Sequence, residues 1–277
     1  ERCLKSIPMR EDVEVIVVDD NSPDIDAAKT VVNKHRNATL YKNKGYGAGG
    51  ARNIGLNEAV GKWLLFADCD DYYVDGFLEE LDKYIYSDND VIYFNFYQYK
   101  EGNNVPEYEK VSNYIKECAE GTRSVDYVKY RNNTPWNKMV RREFVQLYKI
   151  RFEEQPIGND MFFSFQVGYL CKKYKVIDSK LYNYIVYKKS LTKSDWDEYK
   201  IKTYLENKQK FNGFVEFVGH KEWCHGFLFL CLQLYKAKDL KRARNVLLYY
   251  FRHFFSLPKV RQKYTAELMT KVLNLQS

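Results

Sequence analysis

Short apolar runs of strand length alternate with amphipathic stretches through the first hundred residues. Residues 13–18 (Val-Glu-Val-Ile-Val-Val) are β-branched and nearly continuous, the pattern of a strand buried in a parallel sheet. Residues 24–33 then predict a helix and residues 38–41 a short strand. A helix over 51–59, a strand over 62–67, a helix over 76–86 and a strand over 90–97 follow. Strands alternating with helices predict an α/β fold with a mostly parallel, doubly wound sheet. The pattern weakens over 98–133 and is mixed over 144–187. From about Asp195 strand patterns largely stop and apolar residues recur at helical spacing. We therefore expect an α/β domain over 1–194 and a helical subdomain over 195–277. Residues 1–7 read as the end of an amphipathic helix without a beginning.

Both strong strand patterns end in acids. Residues 13–18 run into Asp19, Asp20, Asn21 and Ser22; residues 62–67 run into Asp68, Cys69, Asp70 and Asp71. Ligands of open α/β sheets bind at the carboxyl ends of strands, so these acids are candidates for a site. Asp68 and Asp70 form an Asp-x-Asp that can hold a hard divalent cation. The plainer alternative is an acidic turn, because Asp favours turns. Asp19 and Asp20 can accept hydrogen bonds from a base or a ribose, and the plainer alternative there is a helix cap. The acidic pocket of a response-regulator receiver is a rival, set aside because the chain is far too long for one.

Between these strand ends lies Lys44-Gly45-Tyr46-Gly47-Ala48-Gly49-Gly50-Ala51-Arg52-Asn53. Gly45, Gly47 and Gly50 spell the dinucleotide fingerprint, so NAD binding is a competitor. The fingerprint should follow an apolar strand at once, yet Lys42, Asn43 and Lys44 intervene. The better expectation is a flexible loop that lets backbone and Arg52 approach a phosphate, and the plainer alternative is a glycine-rich turn before a helix. Further on, Gly158-Asn159-Asp160 precedes an apolar run. Asp160 there either caps a helix or serves as a general base.

Composition narrows the classes. Aromatic residues are 17% and charged residues 29%, which excludes a disordered chain. The net charge of +7 suits anionic substrates or an anionic membrane surface, and is too modest and too evenly spread for nucleic acid. The six cysteines form no Cys-x-x-Cys and read as reduced thiols of a cytoplasmic protein. His220, Cys224 and His225 lack an evident fourth ligand for zinc and read as a packed helix face. Residues 240–255 mix Lys241, Arg242, Arg244 and Arg252 with Leu, Tyr and Phe. Such a helix either packs on its neighbours or touches the inner face of an anionic membrane.

Taken in order, the motifs resemble the family 2 glycosyltransferases, inverting enzymes of the GT-A fold. Residues 14–22, 44–55, 59–71, 136–138 (Trp-Asn-Lys), 158–160 and 184–192 carry the resemblance. It implies that Asp19, Asp20, Ser22, Lys44, Gly45, Arg52 and Asp68 surround a nucleotide sugar, with a UDP-sugar as donor. It also implies that Asp68 and Asp70 hold a manganese or magnesium ion, and that Asp160 is the base that deprotonates an acceptor. Arg52 and, less well placed, Lys188 are candidate phosphate partners, with a solvated cation as the plainer alternative for each. The acceptor would be a saccharide or a lipid-linked saccharide of the bacterial cell surface. Two departures stand out: Asn159 replaces the Glu of the family's Glu-Asp pair, and the opening strand of the fold is missing ahead of Glu1. A relative that binds nucleotide or glycan without catalysis is the alternative.

Overall fold

The computed structural model describes residues 1–45, 47–107, 109–187, 196–225, 240–253 and 256–273. The chain forms two compact units, one of residues 1–155 and 159–188, the other of 156–158 and 189–277.

The first unit begins with α1 (Arg2–Lys5), β1 (Val15–Asp19), α2 (Ile25–Val32), β2 (Ala38–Lys42) and α3 (Gly47–Glu58). Next come β3 (Trp63–Leu64), β4 (Tyr72–Tyr73), α4 (Phe77–Asp82) and β5 (Val91–Lys100). After α5 (Lys110–Ala119) and α6 (Asp126–Arg131) follow β6 (Lys138–Arg141), α7 (Arg142–Leu147), α8 (Met161–Leu170) and β7 (Tyr174–Val186). β1 and β2 pair in parallel, Val15 opposite Ala38 through Asp19 opposite Lys42. The other strands form a five-stranded sheet in the order β3-β6-β5-β7-β4.

The α/β expectation holds, but the sheet is mixed rather than mostly parallel. β5 and β7 are parallel, whereas β3–β6, β5–β6 and β4–β7 are antiparallel. Hydrophobic alternation locates strands and says nothing of their direction. Here the chain leaves β5, passes through α5 and α6, and returns as β6 running back between β5 and β3.

Val91, Ile92, Tyr93, Phe94 and Phe96 of β5 are all buried, as a strand covered on both faces requires. The strand expected over 62–67 forms a ladder only at Trp63 and Leu64. Beyond them the backbone is satisfied by tyrosine hydroxyls. The Tyr73 hydroxyl donates to the Phe66 carbonyl at 2.9 Å, and the Asp68 N–H donates to the Tyr182 hydroxyl at 2.9 Å. Buried backbone groups must find partners, and these side chains let the strand stop early and release its acids into a turn.

The second unit contains α9 (Glu198–Phe217), a short 3-10 turn (Lys221–Trp223), α10 (Leu240–Arg252) and α11 (Leu257–Leu273). The Asp197 carboxylate caps α9 by accepting the Lys200 N–H at 2.8 Å. Ile201 and Leu205 of α9 bury with Val246 and Tyr249 of α10 and Leu257 of α11. Among the described residues, no helix is long and apolar enough to cross a membrane.

Candidate active site

The end of β1 is organised by one residue. Asp19 is buried at the last position of β1, and its Oδ2 accepts the Ser22 N–H at 3.2 Å. Asn43, just past the end of β2, donates its N–H to the Asp19 carbonyl at 2.7 Å. Its side-chain amide donates to Asp20 Oδ1 at 2.7 Å and to the Gly47 carbonyl at 3.2 Å. Its Oδ1 accepts the Lys44 N–H at 2.9 Å. Asp19, Asp20, Ser22, Lys44 and Gly45 are thus brought together around Asn43, a buried residue that the sequence reading did not single out. Its signal was available: a short polar side chain between a strand end and a glycine turn. The turns themselves are left-handed, Asn21 at φ +60° and Gly45 at φ +84°. Asn tolerates that region and Gly enters it without a Cβ clash.

The glycine-rich stretch is not the flexible loop expected. α3 is helical from Gly47, and a Cβ on Gly49 would collide with the Glu153 carbonyl. These glycines let a helix lie directly on another segment's backbone. That role departs from the dinucleotide fingerprint, in which the close approach is to a pyrophosphate.

One helical turn past Gly49, Arg52 draws two distant segments together. Its Nη2 meets Asp68 Oδ1 at 2.5 Å, and its Nη1 donates to Asn159 Oδ1 at 2.7 Å. The guanidinium lies 5.5 Å from the Phe152 ring centroid. Such a planar fork holds two acceptors in fixed directions, a geometry that the rotating ammonium of a lysine does not set. Arg52 is therefore engaged by Asp68, not held out as a solvated cation. Asn159, which stands where the family has Glu, is in use as well, its amide oxygen accepting from Arg52.

Asp160 stands at the N-cap of α8 yet makes no side-chain capping bond. The cap alternative is corrected on that ground. Burial raises its carboxyl above the usual range, Arg52 and Lys138 oppose that rise, and Asp68 adds to it.

The three acids of the second turn diverge. Asp68 faces Arg52. The Asp70 carbonyl accepts from the Arg2 guanidinium and from the Tyr187 hydroxyl, while partial burial raises its carboxyl. Asp71 is buried, with Oδ1 accepting the Ile185 N–H of β7 at 2.8 Å. Burial pushes its pKa up to about 8; the bond from Ile185 opposes this, and Asp68 and Asp70 add to it. Asp71 fastens the turn to the sheet, which leaves Asp68 and Asp70 as hard oxygen donors. Among the described residues no three His, Cys, Asp or Glu side chains gather as a metal site. Two carboxylates fit a magnesium-like ion that takes its other ligands from a diphosphate and water. Lys188 lies outside the described residues.

Known proteins resemble this chain in sequence and in fold. The chain is 22% identical over 197 residues to the putative glycosyltransferase EpsH of Bacillus subtilis, covering 68% of this chain and 57% of that protein. It is 28% identical over 185 residues to the cholesterol galactosyltransferase of Borreliella burgdorferi, covering 62% of this chain and 51% of that one. The chain thus spans little more than half the length of these relatives. In fold it resembles residues 1–349 of TarS from S. aureus, crystallised with UDP-GlcNAc, with a TM-score of 0.59 and 19% identity. That likeness covers 91% of this chain and 68% of the other. The family model for glycosyl transferase family 2 matches residues 1–148, more than half of the sequence, and the chain belongs to that family.

Proposed function

We propose that this chain carries the catalytic unit of an inverting glycosyltransferase. It would move a hexosyl or hexosaminyl group from a UDP-sugar to a saccharide or lipid-linked acceptor in cell-surface polysaccharide synthesis. The observation that carries this reading is the Arg52 bridge from Asp68 to Asn159, beside an Asp160 that does no capping work. It joins the segment that would face the donor to the segment that would face the acceptor. The TarS structure with UDP-GlcNAc supports a UDP-sugar donor.

In this reading Asp19 and Asp20 accept from the uracil and ribose, with Ser22, Lys44 and Gly45 beside them, and Asp68 contacts the donor's ribose. Asp68 and Asp70 hold the divalent cation. A bound cation would supply Lewis-acid stabilisation of the departing diphosphate. Asp160 accepts the proton of the acceptor hydroxyl as that oxygen bonds to the anomeric carbon. The bond from the anomeric carbon to the phosphate oxygen breaks on the opposite side, and the configuration inverts. Protein incubated with manganese and UDP-glucose, UDP-galactose or UDP-GlcNAc is expected to release UDP from at least one of them. Release from none, with folded protein, would overturn the transferase reading.

The second unit adds a lipid-facing role. Leu240, Leu247, Leu248 and Phe251 of α10 are exposed, and Lys241, Arg244 and Arg252 share their side of the helix. Val246 and Tyr249 bury on the other side, and α10 contains no acid. Apolar and basic side chains on one face suit an anionic lipid surface, with each cation contributing about 1 kcal/mol near it. Flotation with phosphatidylglycerol vesicles is expected to carry the protein at low salt, and less of it at high salt. Leu248→Glu combined with Phe251→Glu should abolish flotation. Protein that stays unbound at low salt would make α10 an ordinary packed helix.

A further inference from the structure

Lys138 opens β6 opposite Tyr93 and is wholly buried. Its ammonium donates to the Thr134 carbonyl and, at 3.2 Å, to Ser164 Oγ. It lies 5.8 Å from the Tyr93 ring centroid. Among the described residues, no ion pair joins it to a carboxylate. A buried cation without a contacting anion costs stability, and an apolar side chain of similar volume would pack there more cheaply. Its retention calls for a reason beyond the core.

The surroundings supply one. Ser164 lies one turn into α8, and its N–H donates to the Asp160 carbonyl at 3.1 Å. Burial brings the Lys138 pKa down to about 7, and Asp160 is the charge that opposes this by favouring the ammonium. Lys138 in turn favours the carboxylate of Asp160, alongside Arg52 and against Asp68. The residues just before Lys138 reach the other acidic turn. Trp136 stacks on Tyr182 with ring centroids 4.7 Å apart, and the Tyr182 hydroxyl accepts the Asp68 N–H. Asn137 is fully buried, its Oδ1 accepting from Asn132 at 3.1 Å and from Thr134 at 2.9 Å. The segment 132–138 is therefore linked to both turns, through Tyr182 to Asp68 and through Ser164 to Asp160.

We propose that Lys138 is a positioning residue of the transfer site: its buried ammonium ties the segment 132–138 to the first turn of α8 and so fixes Asp160 relative to Asp68. This rests on the transferase reading above. The test compares wild type with Lys138→Met and with Ser164→Ala, using whichever of the three UDP-hexoses wild type turns over. For Lys138→Met the expected kcat falls about 10²-fold, as a misplaced reacting group costs. The donor KM and UDP affinity stay at wild-type values, and Tm is unchanged or higher because a buried charge has gone. Ser164→Ala, which removes a single oxygen, lowers kcat in the same direction by less. Near wild-type kcat in both variants would overturn the role of Lys138 while leaving the transferase reading intact. So would a loss of Tm and UDP affinity in step with kcat, because that marks a purely structural lysine. Wild type that releases UDP from no donor overturns the transferase reading, and the role of Lys138 with it.

Discussion

Asp160→Asn is expected to bind UDP as wild type does and to transfer sugar about 10² to 10⁴ times more slowly, the usual loss for a general base. The substitution keeps size and polarity, and no capping bond is lost because the Asp160 side chain makes none. What disappears is the proton acceptor. A pH profile sharpens the test. Burial raises the Asp160 carboxyl, so the base becomes competent only above the ordinary carboxylate range. The rising limb of the wild-type kcat profile should therefore lie above that range, and it should vanish in Asp160→Asn. A variant with near wild-type turnover would remove Asp160 from the chemistry.

Asp70→Ala is expected to weaken UDP binding in manganese by several kcal/mol, on the order of 10²-fold or more in Kd, and to leave the metal-free affinity unchanged. Asp70 is the better probe of the pair. Asp68 also anchors Arg52 at 2.5 Å, and its removal would disturb Asn159 and the turn before α8. The Asp70 carboxyl has no such structural duty, since its turn is fastened by Asp71 on Ile185. Calorimetry with UDP, with and without manganese, reads the effect directly. Equal affinities in all four combinations would mean that no metal–diphosphate clamp exists at this turn.

Much of the fold was legible because burial leaves a mark on sequence. Residues 13–18 and 90–97 read as strands, and β1 and β5 fall there. The helices after Asp24 and Gly76 also form, shorter than expected at one or both ends. The acids at two strand ends were visible because a polar cluster after an apolar run is locally encoded. Three features were not. The 62–67 strand stops at Leu64, opposite Val140, and beyond it the hydroxyls of Tyr73 and Tyr182, the latter more than a hundred residues away, take over the backbone bonds. Asn43 sits in a locally readable turn, but its reach to Asp20, like that of Lys138 to Ser164, depends on partners that other segments supply.

The sequence by itself determined the α/β class, the helical spacing of the residues described after 196, and the acids that follow β1 at once and β3 four residues on. Those follow from periodicity and from the chemistry of neighbouring residues. Only the tertiary structure decided the mixed strand directions, the helix where a glycine-rich loop was expected, and the partners of each charge. Strand direction depends on how a long crossover returns, and Gly49 is set by contact with Glu153 about a hundred residues away. Arg52 reads the same from sequence whether it awaits a phosphate or pairs with Asp68. The difference is 2.5 Å of separation, which packing alone sets.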